Sequence, residues 1–298
     1  MTRYDRLMAR LRAGEKILID GATGTEVGRR GVPELPNAWN GGAAVSHPDV
    51  LLQVHRDYIR LGAEIVISNT FATCKHCLQA AGVGDDFELY NRRGVELAVE
   101  ARDAEGALDV LVAGGISYWS FVEAKPALNE LKSSVEEQAG VMRDAGADLL
   151  MLEMMVGIER MLVTLEAAQS SGLPVWAGLS CAPGEDGVMR LLDGETLADA
   201  LEALRGRGVP LVSIMHSFDY HVDACLDVVE HHWDGLTGVY AHTSSPHEGG
   251  KWKNVKPVSP EEYASSAQRW LDRDVRLIGG CCGIYTDHIA ALRQVVTA

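Results

Sequence analysis

The sequence has few aromatic residues (6%), no surplus of positive charge, no long apolar run and too few cysteines for its length to be stapled by disulfides. Each shortage excludes something. Lys and Arg number 27 against 42 Asp and Glu, a formal net charge of -15. Without clustered cations, neither a nucleic-acid backbone nor an anionic membrane surface is expected as a main partner. No apolar run approaches the roughly 20 residues that span a bilayer. The first residues, Met1-Thr2-Arg3-Tyr4-Asp5-Arg6, open a charged amphipathic segment and not the apolar core of an export signal. Six cysteines in 298 residues make no disulfide framework. With no export signal the chain is expected to be cytoplasmic, and in that reducing compartment clustered cysteines more often bind metal or do chemistry. Pro-rich linkers and low-complexity tracts are also missing, so residues 1–298 are expected to form a single domain.

With 47% hydrophobic and 23% charged residues, the chain can bury a large core. It repeats one theme: a short apolar run, a polar or Gly-rich turn, then an amphipathic helical stretch. The runs are 17–20, 64–69, 110–115, 148–153, 174–180, 210–216, 236–241 and 275–280. They are nearly continuous in Val, Ile and Leu, as strands buried on both faces should be. Helical periodicity lies between them, as in 50–59 and 135–142, and Gly62, Gly146, Gly172 and Gly208 are placed to stop helices. Eight such units predict an α/β protein with the (β/α)8 or TIM-barrel fold, and the length suits one. An open doubly wound sheet is the alternative. It would carry a nucleotide-binding glycine fingerprint after its first strand, and Asp20-Gly21-Ala22-Thr23-Gly24-Thr25 lacks that spacing. Two aperiodic segments, 28–46 and 242–260, are expected to lie over the barrel mouth.

Barrel chemistry sits at the C-terminal strand ends. Those ends read Asp20-Gly21, Asn69-Thr70-Phe71, Ser117, Glu153, Cys181, His216, His242 and Cys281-Cys282, a polar and metal-competent rim. The adjacent cysteines stand out. Neighbouring residues on a regular strand face opposite ways, so both can reach one metal only where the backbone leaves strand geometry. Gly279, Gly280 and Gly283 permit that departure by tolerating unusual φ/ψ values. Thiolates suit zinc, and a catalytic zinc keeps three protein ligands and one open position.

On these residues the chain resembles the zinc-dependent homocysteine S-methyltransferase family, which includes betaine, S-methylmethionine and cobalamin-dependent methyltransferases. The matching features are Ile19-Asp20-Gly21-Ala22-Thr23-Gly24-Thr25-Glu26, His47-Pro48 through His55-Arg56-Asp57-Tyr58, and Gly62-Ala63-Glu64 leading to Ser68-Asn69-Thr70-Phe71. Gly146-Ala147-Asp148 through Glu153 and Gly279-Gly280-Cys281-Cys282-Gly283 complete them. The resemblance implies a Zn2+ cofactor bound by Cys281 and Cys282, with Glu153 and Asp20-Gly21 holding the amino-acid end of the acceptor. Thr23 and Asn69, inside the same motifs, are expected beside that substrate.

One departure stands against the family pattern. Its third zinc ligand is a cysteine at the end of strand 6, where this chain reads Ser213-Ile214-Met215-His216-Ser217. His216 is the natural substitute, with Cys181 and His242 as further candidates. Imidazole in place of a thiolate makes a zinc site one charge less negative, favouring substrate deprotonation while leaving the bound thiolate less nucleophilic. The expected partners are a small thiol, foremost homocysteine, and a small onium methyl donor such as S-methylmethionine or betaine. A separate corrinoid protein is an alternative source of the methyl group. Onium donors favour aromatic faces; Trp39 and Trp119 are the first candidates, with Phe71 and Tyr118 nearby. The competing readings are a hydrolytic barrel using metal-activated water, which generally takes histidine ligands from strand 1, and a non-catalytic metal- or thiol-binding relative.

Overall fold

A computed structural model describes residues 1–121, 125–246, 252–254 and 258–297. Eight parallel strands follow the eight apolar runs: β1 (Ile17–Leu18), β2 (Ile65–Ile67), β3 (Leu111–Ile116), β4 (Leu149–Met155), β5 (Val175–Leu179), β6 (Leu211–Phe218), β7 (Leu236–His242) and β8 (Val275–Ile278). From β3 onward each pairs with the strand before it in the chain, and β8 pairs back onto β1 through Ile17–Leu277 and Leu18–Ile278. The remaining seam, β1 to β2, closes through an Ile19–Ile65 bridge and two backbone bonds, Asp20 N–H to Ile65 O (3.1 Å) and Glu64 N–H to Leu18 O (2.8 Å). The sheet therefore closes into a barrel, and the open-sheet alternative falls.

Strands β2 to β5 are buried at every residue, inside and out, as continuous apolar runs between a filled interior and covering helices require. The helix Pro48–Arg60 shows how the cover is made. Proline starts it where a missing N–H costs nothing, and Leu51, Val54, His55, Tyr58 and Ile59 recur at helical spacing on its buried face. Burying each large apolar side chain contributes about 1.5–3 kcal/mol. Gly62 and Gly146 stop their helices at positive φ as expected. The helix Leu197–Leu204, however, ends well before Gly208. Among the described residues no helix is long and apolar enough to cross a membrane.

The two segments read as aperiodic contain more order than expected. Residues 28–46 hold the end of the helix Thr23–Arg29, a Leu35–Trp39 bridge, a 3-10 turn at Asn40–Gly42 and the helix Ala43–Ser46. In the second segment, strands Ser244–Pro246 and Trp252–Asn254 pair as a hairpin, and 247–251 and 255–257 lie outside the described residues. A further hairpin, Cys181–Pro183 with Met189–Leu191, follows β5 and was not foreseen.

The β8–β1 seam explains two of its glycines. Neither Gly279 nor Gly280 has a positive φ, so the expectation that they supply conformational freedom fails there; only Gly283 does so, at φ +86°. The reason is space. A Cβ on Gly279 would overlap the Ile19 side chain and stand 2.7 Å from the Asp20 carbonyl oxygen, and one on Gly280 would overlap Ile284. Gly279→Ala should therefore lower stability by about 1–3 kcal/mol through overpacking. Urea unfolding checks this, and a variant with the wild-type midpoint would contradict it.

Candidate metal and substrate site

Strand β8 stops at Ile278, and the chain turns through residues 279–283. Backbone bonds pin the turn on both sides: Gly280 N–H to Asp20 O (3.1 Å), Cys281 N–H to Ala241 O (2.8 Å) and Thr243 N–H to Cys282 O (3.0 Å). Strand alternation is broken here, and the sulfurs of consecutive residues come to lie 3.9 Å apart. Two thiols this close oppose each other's ionisation. The neighbouring Cys282 thiol, followed by burial, pushes the Cys281 pKa well above the ordinary thiol value.

The imidazole arrives by a second irregularity. His216 has φ +44°, and the pairing of β6 with β7 shifts between Met215 and Phe218. Met215 and His216 are adjacent, yet both line the same pocket. Met154, after Glu153 on β4, repeats the device at φ +58°. His216 Nδ1 stands 3.4 Å from Cys281 Sγ, and the donor atoms of His216, Cys281 and Cys282 all lie within 4.8 Å of one another. Zinc bonds of ~2.0–2.1 Å to nitrogen and ~2.3 Å to sulfur give tetrahedral edges of roughly 3.5–3.8 Å. The donor set and its spacing fit zinc.

The other ligand candidates fall outside this cluster. Cys181 is buried against Cys225, and that thiol, with burial, raises its pKa. His242 packs beside His216, ring centres 4.2 Å apart and Nδ1 to Nδ1 3.2 Å. Burial, with the charges of His216 and His221, pushes its pKa down to about 2, so it is neutral. Its Nε2 is buried with no hydrogen-bond partner among the described residues.

A pocket enclosing about 720 Å³ of empty space, part of it open to solvent, brings together the three donors with Gly21, Thr23, Trp39, Asn69, Trp119 and Glu153. Those are all the predicted binding residues except Asp20. The Asp20 carboxylate lies outside the lining, accepting a 2.7 Å hydrogen bond from Ile67 N–H, and it thereby ties β1 to β2. Glu153 has no ion pair among the described residues, and burial alone pushes its pKa up to about 8. Burial likewise raises Asp20, and the Glu153 charge adds to the shift.

Asn69 serves the site through the backbone. Its Nδ2 donates to Asn40 O (2.8 Å), and Asn40 Nδ2 donates in turn to Gly24 O (2.7 Å), fastening the 37–42 segment across the mouth. Trp39 is thereby laid over Gly24, where a Cβ would stand 2.7 Å from its ring. Trp39, Phe71 and Phe121 form an aromatic wall with ring centres 6.3–6.4 Å apart. Tyr118 does not join it. Its hydroxyl accepts from Val156 and Gly157 N–H (both 2.8 Å) and donates to Gly157 O (3.1 Å).

Sequence reasoning missed Phe121 and Tyr240. The Tyr240 hydroxyl is buried without a partner among the described residues, in the same pocket. Period-two spacing from His242 back along β7 was the available signal for it.

A closed (β/α)8 barrel whose mouth gathers two thiols, an imidazole and an unpaired buried carboxylate is built as an enzyme with a soft-donor site. A profile of the homocysteine S-methyltransferase family matches residues 17–296; the chain belongs to that family and is a transferase. A betaine–homocysteine S-methyltransferase from Xenopus laevis is 28% identical over 97% of this chain and 74% of its own length. A homocysteine S-methyltransferase from Zea mays is 23% identical over 96% of this chain and 95% of its own. An S-methylmethionine–homocysteine S-methyltransferase from Pongo abelii is 26% identical over 97% and 80%. The metallated homocysteine methyltransferase of Escherichia coli shares the fold, with TM-score 0.80 at 24% identity over 97% of this chain and 99% of that one.

The raised carboxyl at Glu153 has a testable sign. Its folded pKa of about 8 exceeds the ordinary 4.5, so between those values the folded state binds more protons than the unfolded. The neutral carboxyl's contribution is complete below about 4.5 and is lost as pH rises through about 8. Wild-type protein should thus lose stability relative to Glu153→Gln from pH 5 to 8. Parallel urea midpoints for the two across that range would contradict the assignment.

Proposed function

We propose that this protein makes methionine by transferring a methyl group from a small onium donor to homocysteine, with Zn2+ held by His216, Cys281 and Cys282. The observation that carries the reading is the convergence of those three donors in one pocket with Glu153. The relatives support it from a second direction, since two of them are named for betaine and S-methylmethionine, a quaternary ammonium and a sulfonium.

Zinc bound there supplies the Lewis acidity that keeps the acceptor sulfur ionised near neutral pH, where a free thiol of pKa about 8.5 is mostly protonated. Glu153 is the group to meet the acceptor's ammonium, which returns its carboxyl to the charged form. Gly21 and Thr23 stand beside it, and the Tyr240 hydroxyl is unpartnered among the described residues. Asn69 acts at one remove by holding the segment that carries Trp39. Trp39, Trp119, Phe71 and Phe121 offer ring faces to the donor cation.

With both substrates held, the sulfur forms its bond to the methyl carbon as the bond from that carbon to the onium centre breaks. The electron pair leaves with the donor, now neutral at that centre. Positioning carries much of the acceleration, because the two reactants are brought together before they react. The relatives give no support to a corrinoid protein as partner.

The test follows methionine formation from homocysteine with S-methylmethionine or betaine, alongside zinc content. Cys281→Ala and His216→Ala should each lose the zinc bound at this site and lower turnover at least 100-fold. Undiminished turnover in Cys281→Ala would overturn the reading.

A further inference from the structure

Beyond β2 the chain reads Cys74-Lys75-His76-Cys77, a C-x-x-C spacing with a histidine inside it, at the start of the short helix Lys75–Ala80. Its three donor atoms all lie within 4.8 Å of one another, away from the cluster built on Cys281. Cys74 Sγ stands 3.5 Å from His76 Nε2. All three converge on one backbone oxygen, that of Trp119: His76 Nε2 at 3.1 Å, Cys77 Sγ at 3.5 Å and Cys74 Sγ at 3.8 Å.

A carbonyl oxygen has two lone pairs, so three donors oversubscribe it. These four edges, 3.1–3.8 Å, are instead close to those of four ligands around a tetrahedral metal, roughly 3.4–3.8 Å for zinc with sulfur, nitrogen and oxygen. Buried cysteines often serve only as small apolar side chains, and Cys74 and Cys77 do pack with Leu78, Phe87 and Tyr90. Packing alone gives no reason for the His76 ring to turn in with both sulfurs toward one point.

We propose that Cys74, His76 and Cys77, with the Trp119 carbonyl, form a second, structural metal site for zinc or another thiophilic divalent ion. Its position gives it a task. It joins the segment after β2 to the segment after β3, and the latter carries Trp119 and Phe121 into the substrate pocket. A closed four-ligand site there fixes the aromatic wall without taking part in the reaction.

The experiment uses the full chain with Cys281→Ala and Cys282→Ala, purified without chelator, so that any metal found is not at the first site. One equivalent of zinc or another thiophilic divalent metal should remain. Cobalt substitution should give the near-ultraviolet thiolate-to-metal bands of a two-cysteine site, and adding Cys74→Ser and Cys77→Ser should abolish both. Peptide mapping of the wild-type chain provides a readout independent of these variants: iodoacetamide should label Cys74 and Cys77 more slowly with zinc than without. Absence of any thiophilic divalent metal from the first variant, metal retained without Cys74 and Cys77, labelling indifferent to zinc, or a Cys74–Cys77 disulfide in freshly purified protein would each overturn the proposal.

Discussion

Two sulfurs on consecutive residues, 3.9 Å apart and largely shielded from water, are the constraint on which the mouth of this barrel turns. They repel each other's charge, and a strand would hold them on opposite faces. The fold meets the second difficulty by ending β8 at Ile278 and pressing the next two residues against Ile19 and Ile284 so closely that only glycine fits. The zinc proposed above would meet the first, because a cation between two thiols and an imidazole would reverse the sign of their interaction. The closure of the sheet, the seam glycines and the turn at 279–283 all serve that juxtaposition.

The pocket combines this soft-donor cluster with a carboxyl that burial makes reluctant to ionise. An amino acid bearing a thiol offers the complement of both, a sulfur for one and an ammonium for the other. Around them stands the aromatic wall, whose rings would suit the cationic methyl donor proposed above. The segment carrying Trp39 is bound to the barrel through Asn69 and Asn40, so one wall of the pocket is held through the backbone.

Much of this was legible in sequence. Eight apolar runs gave eight strands because strands buried on both faces have no alternative pattern, and the strand-end rule located His216, Glu153 and the cysteine pair together. What escaped had physical reasons. Asp20 is a carboxylate at a strand end, but its partner, the Ile67 N–H, belongs to a strand 47 residues away and leaves no local trace. Tyr118 and Phe121 are neighbouring aromatics of the same loop, and only the turn between them decides that one bonds Gly157 while the other faces the pocket. His216 was the first choice in the sequence, but the backbone shift that brings its ring beside Cys281 is one that no periodicity predicts. Cys74-Lys75-His76-Cys77 was not singled out in the sequence, because its fourth neighbour, the Trp119 carbonyl, arrives from a segment 42–45 residues away.

The left-handed backbone at His216 bears on which residues this position can accept over evolutionary time. Among side chains other than glycine, histidine belongs with asparagine and aspartate in tolerating that conformation, whereas most residues avoid it. In the proposed site, nitrogen in place of sulfur at the end of β6 would exchange one metal donor for another and would also suit the backbone found there. The identity of a ligand can be selected by the shape of the chain that presents it as much as by the ion it holds.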